Sequence, residues 1–223
     1  MQEIMLDAAG TAVSFSTDNT RVIVGDRDGN ISIWDISNLN GRVGYIEFPE
    51  QIHKAKYSYT GEWVIFNTDD KNIWLVPTDQ ITTIHNGTQG TKILSFDKLT
   101  NQTKVSPNSK WIAITETYGS RAVLYNLETK VLHSLPHPAD LSGIGFSADS
   151  KRFASTSDKG KSVFVWDVES GELLKEIQFD QIAFTIAFNP QDATLAIGFA
   201  DKIMIWDIDG GKEIATLLQI GDI

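Results

Sequence analysis

The sequence predicts an all-β chain built from five similar units, and three observations carry that expectation. A short β-branched and aromatic run ending in Trp-Asp occurs as Ile31-Ser32-Ile33-Trp34-Asp35-Ile36, Val163-Phe164-Val165-Trp166-Asp167-Val168 and Ile203-Met204-Ile205-Trp206-Asp207-Ile208. Alternating apolar runs are bounded by Gly, Asp and Asn turns every 8–12 residues or so, the pattern of short antiparallel strands. No stretch sustains a helical period.

Two degenerate copies lie between the clear ones, Ile73-Trp74-Leu75-Val76-Pro77 and Ala122-Val123-Leu124-Tyr125-Asn126-Leu127. Aligning the five on Trp34, Val76, Tyr125, Trp166 and Trp206 gives steps of 42, 49, 41 and 40 residues (76−34, 125−76, 166−125, 206−166). A period near 40 with Trp-Asp endings resembles the WD-repeat β-propeller family over nearly the whole chain. The resemblance implies a β-propeller of four-stranded antiparallel blades, ordered from an inner to an outer strand.

The residues place five such blades at about 11–48, 52–97, 101–135, 139–179 and 182–219, in one propeller domain or fragment over 1–223. In the first, Ala12–Phe15 is the inner strand and Arg21–Gly25 the second. Asp26-Arg27-Asp28-Gly29-Asn30 is the hairpin, where Asp-Gly suits positive φ. Ile31–Asp35 and Gly44–Phe48 follow. The second repeats this order, with Val76 at the Trp position and Trp74 on the same strand face as core. A polar connection, Thr78–Gly90, precedes its outer strand. The third carries Pro107 at the first central position of a turn. The fourth is the clearest copy, and the fifth ends on the outer strand Glu213–Gln219.

The N-terminal strand Glu3–Leu6 is then surplus. Two arrangements accommodate it. Five blades close into a ring with a redundant end strand, or the chain is an arc of a larger, seven-bladed propeller. An arc would expose apolar blade faces and need neighbours.

Composition narrows the function. The 223 residues are 41% hydrophobic and 22% charged, with net charge −10. That acidity disfavours nucleic acid and anionic membranes, which attract positive fields, and favours a basic partner. Cysteine is absent, so there is no disulfide framework or thiolate nucleophile. No signal peptide or apolar span is evident, and the expected location is cytoplasmic. The glycosylation-type sequons at Asn30, Asn86 and Asn101 read as chance matches.

The resemblance implies a structural hydrogen-bond network in each blade. In the fourth it maps to His137, Ser155 or Thr156, Asp158 and Trp166; Asp28 with Trp34, and Asp70, keep parts of it elsewhere. Such a network stabilises a blade, because buried polar groups must be paired, and performs no chemistry. His133 and His137 do not chelate a metal: Pro136 and Pro138 exclude a helix, and four strand residues span about 13 Å. Asp26–Asn30 begins like a calcium loop, but its glycine is two places early and Ser37 stands where glutamate is required. Gly143-Ile144-Gly145-Phe146-Ser147-Ala148 matches a dinucleotide fingerprint without the following helix; its small residues indicate close packing. There is no Gly-x-Ser-x-Gly elbow. No cofactor, metal or catalytic residue is expected.

The family's usual binding surface is formed by hairpins between second and third strands. By that resemblance the partner-binding residues are Arg27, Asp69, Tyr118, Lys159 and Phe199, with Tyr118 and Phe199 as aromatic anchors. The implied function is a non-catalytic scaffold for a protein or peptide, with further blades or another chain as possible partners. The alternatives are a regulatory or sensor module of a larger multidomain protein, and a propeller-type enzyme or hydrolase-gating domain.

Overall fold

The computed structural model describes residues 5–81, 90–157 and 161–218, with backbone alone for 38–41. Among the described residues the chain is all-β, with five four-stranded antiparallel sheets and one short helix. It divides into two compact units, Met1–Thr100 and Asn101–Ile223.

The first unit begins with β1 (Gly10–Phe15), β2 (Arg21–Asp26), β3 (Asn30–Asp35) and β4 (Asn38–Glu47), hydrogen-bonded in that order. Its second sheet is β5 (Ile52–Tyr57), β6 (Trp63–Thr68), β7 (Asn72–Pro77) and β8 (Thr91–Ser95), with α1 (Thr78–Ile81) between the last two strands. In the second unit the third sheet comprises β9 (Thr100–Val105), β10 (Trp111–Glu116), β11 (Arg121–Asn126) and β12 (Leu132–Pro136). The fourth comprises β13 (Leu141–Phe146), β14 (Arg152–Ser157), β15 (Ser162–Asp167) and β16 (Leu173–Gln178). The fifth comprises β17 (Thr185–Phe188), β18 (Thr194–Gly198), β19 (Lys202–Asp207) and β20 (Lys212–Leu218).

Strand periodicity decides which neighbour each side chain meets. Along β14, Phe153 packs toward the third sheet and Ala154 toward the fifth. Along β15, Phe164 and Trp166 join the first group, and Val163 and Val165 the second. The fourth sheet is thus buried on both faces, which is why its strands read as continuous apolar runs. In the first unit, Ile23, Ile31, Ile33 and Ile46 of the first sheet meet Ile52, Val64, Phe66 and Val76 of the second. Each such side chain contributes about 1.5–3 kcal/mol on burial. Trp74, expected as core, is partly buried against this cluster, its ring 5.3 Å from that of Phe48.

The turns into the second strand of the first four sheets share one construction. The hydroxyls of Ser16, Ser58, Ser106 and Ser147 each accept the amide of the residue five places on: Arg21, Trp63, Trp111 and Arg152. The residue three places on, Asn19, Gly61, Ser109 or Ser150, takes positive φ. These serines recur at steps of 42, 48 and 41 residues (58−16, 106−58, 147−106), a signal that the Trp-Asp alignment passes over.

Geometry demands glycine at one turn and favours it at one close approach. Gly29 lies at φ 86°, and a Cβ there would meet the Phe48 carbonyl oxygen at 2.1 Å. Gly143 faces β17, where a Cβ would sit 3.0 Å from the Thr185 Cα. The close-packing reading of that glycine-containing stretch is therefore correct at Gly143. The surplus N-terminal strand falls largely outside the described residues; Met5 and Leu6 are described and are not in a strand.

Candidate functional site: blade networks and hairpins

The fourth sheet assembles three of the four network residues expected there. The Trp166 indole Nε1 donates to Ser155 Oγ at 3.2 Å. Ser155 Oγ lies 2.7 Å from His137 Nε2, and His137 Nδ1 lies 2.8 Å from the Leu135 carbonyl oxygen. A carbonyl can only accept, so Nδ1 carries the proton and Nε2 accepts the serine hydroxyl. Donation therefore runs from Trp166 to Ser155 to His137 and ends on the Leu135 carbonyl as acceptor. Asp158 lies outside the described residues, as does Lys159 of the hairpin set.

Burial of the imidazole pulls the His137 pKa from 6.5 down to about 4, against the raising effect of the Leu135 carbonyl. Between those values the unfolded chain binds more protons than the folded one. Stability is therefore complete above pH 6.5 and falls as the pH drops toward 4. The expected loss is on the order of 3 kcal/mol across the window. Urea denaturation at pH 7, 6 and 5 should show it, and His137→Gln should flatten that slope. An unchanged slope in the variant would show that other groups produce it.

The other sheets solve the same problem differently. The Trp34 indole donates to Ser32 on its own strand at 3.0 Å, so the hydroxyl comes from the third strand rather than the second. Asp28, expected in the network, is exposed, and the buried carboxylate of this hairpin is Asp26. Asp26 Oδ1 accepts the amides of Asp28 and Asn30 at 3.0 and 2.9 Å, and Oδ2 accepts Asn30 Nδ2. The end of β2 brings Asp26 nearer those amides than the hairpin tip can. In the second sheet the Trp74 indole donates to Thr68 Oγ1, which donates to Asp70 at 2.5 Å. In the fifth sheet Ile197 stands where the fourth has Ser155, and the Trp206 Nε1 is buried with no partner among the described residues.

These geometries accompany Trp-ended strands at a spacing near 40, and comparison with known sequences agrees. The family model described as "WD domain, G-beta repeat" matches residues 10–35 and 129–167. The chain carries WD repeats. This WD-repeat chain is 24% identical to Protein HIR1 of Candida albicans, over 86% of its own length and 21% of that protein. It is 22% identical to Protein NEDD1 of Homo sapiens, over 89% of its length and 30% of that protein. It thus spans less than a third of either relative.

The hairpins between second and third strands place the expected partner-binding residues unequally. Arg27 is exposed. Asp69 is exposed and pairs with the His53 imidazole, which bridges the start of β5 to the hairpin. Tyr118 is 80% exposed at φ 54°. Phe199 is not an exposed anchor: it is buried, edge-on to Phe179 at 5.2 Å, with the Lys202 ammonium 5.4 Å over its ring. The β18–β19 hairpin folds Phe199 over the core between the fourth and fifth sheets. Among the described residues, no group of three or more His, Cys, Asp or Glu side chains is placed to hold a metal ion.

Proposed function

We propose that this WD-repeat chain is a protein-interaction scaffold that engages a protein or peptide through its second-to-third-strand hairpins, with Tyr118 as an anchor. The observation that carries the reading is Tyr118 itself. A bulky residue in the left-handed region costs about 1–2 kcal/mol relative to glycine. The chain bears that cost at a residue that is four-fifths exposed to solvent. Exposed aromatic surface on a strained turn is what a binding anchor requires and what folding alone disfavours. The resemblance to proteins with the same repeats supports the scaffold class.

The test separates binding from stability. Tyr118→Gly relieves the positive-φ cost and should change stability by no more than about 1 kcal/mol, read as melting temperature. The same variant should lose proteins that the wild-type chain retains in affinity capture from a cell extract, read by quantitative mass spectrometry. Identical retention by both proteins would remove Tyr118 from the binding surface.

A further inference from the structure

Trp63 and Trp111 occupy the same place in their sheets, five residues after the turn serine whose hydroxyl accepts their amide. Their surroundings differ. Trp111 is 2% exposed and its face is covered by the His133 ring, 5.5 Å away and stacked at 19°. Trp63 is only partly buried and lines an open cleft of about 600 Å3 with Gly61, Glu62, Pro77, Thr78 and Asp79. Among the described residues, two carboxylates and no cation line this cleft. At its edge the Thr78 Oγ1 is buried with no hydrogen-bond partner among the described residues.

The third sheet shows what such a tryptophan face accepts: a flat nitrogen-bearing ring laid parallel to the indole. From the contrast we infer that the Trp63 cleft binds an arginine side chain of a protein partner, a surface distinct from the hairpins. A guanidinium is flat, permanently charged and rich in donors. Stacked on Trp63 it gains a cation–π attraction. Its N–H groups suit the exposed Glu62 carboxylate, one oxygen of which already accepts Thr60 Oγ1 at 3.3 Å. Lysine offers the charge without the plane. The chain's net charge of −10 favours the approach of a basic segment. The inference rests on the scaffold reading only in taking a protein as the source of the arginine.

The probe is a fluorescein-labelled octapeptide of glycine and serine carrying two arginines, compared with versions bearing lysine or neutral, isosteric citrulline. Binding is measured by anisotropy, and the Trp63 indole N–H resonance is followed in the 15N-labelled chain. The arginine peptide should bind and shift that resonance, the lysine peptide should bind several-fold more weakly, and the citrulline peptide about tenfold or more. Glu62→Gln and Trp63→Leu should each weaken arginine-peptide binding by about fivefold or more. Glu62→Gln, an exposed change, covers the case in which Trp63→Leu fails to fold. Glu172→Gln removes an equivalent exposed charge elsewhere and should change nothing. The inference is overturned if the arginine peptide does not bind, if Glu172→Gln weakens it as much as Glu62→Gln, or if the Trp63 resonance stays still. Tyr118→Gly should bind the arginine peptide normally, so failure here leaves the hairpin reading to its own experiment.

Discussion

Phe153→Ala should lower the stability of the second unit by about 3–5 kcal/mol, the range for deleting a buried aromatic ring. Phe153 is fully buried, pairs with Trp166 across β14 and β15, and lies 5.3 Å from the Phe146 ring. Its cluster also includes Leu124, Leu135, Ile144 and Phe164. These neighbours sit on strands held by backbone ladders, so the cavity collapses poorly and the cavity term adds to the lost transfer energy. The measurement is urea denaturation followed by tryptophan fluorescence. Phe153→Leu, which restores most of the volume, should recover more than half of the loss. A cost below about 1 kcal/mol for the alanine variant would mean that the fourth sheet is not packed on the third through this ring.

Ser155→Ala should cost about 2–5 kcal/mol although it removes a single oxygen. Ser155 is fully buried and serves two partners, as acceptor for the Trp166 indole and donor to His137. Deleting it leaves a buried N–H and a buried imidazole nitrogen unpaired, and each orphaned group costs about 1–3 kcal/mol. The double variant Ser155→Ala with Trp166→Phe removes the orphaned indole N–H as well. Its loss should be smaller than the sum of the two single losses, and thermal denaturation of the four proteins measures that coupling. Additive losses would show that the contact carries no energy. The contrast with the fifth sheet is informative, since the Trp206 Nε1 there is buried with no hydrogen-bond partner among the described residues. The hydroxyl at Ser155 therefore stabilises its own blade and is dispensable to the blade architecture.

Much of this was legible along the chain. Strands, hairpins and the repeat follow from local chemistry: alternation of apolar residues decides which face is buried, and Asp-Gly in β2–β3 decides a turn, with Gly29 at positive φ as expected. The grouping of His137, Ser155 and Trp166 was legible because it follows from repeat position. Asp26 was missed because Asp28 sits at the expected offset, whereas only the path of β2 shows which carboxylate reaches the amides of Asp28 and Asn30.

What the order of residues determined is therefore the blade, a unit whose contacts are mostly within some 40 residues. What only the tertiary structure decided is which side chains remain available once blades pack. Phe199 and Tyr118 look alike in sequence, each an aromatic in a hairpin. One is buried against Phe179, contributed by the end of the preceding blade, and the other stays 80% exposed. Trp63 and Trp111 follow the same turn, and the difference between them is whether an imidazole from the outer strand lies over the ring. Exposure depends on neighbours far away in the chain, and a local pattern carries no record of them.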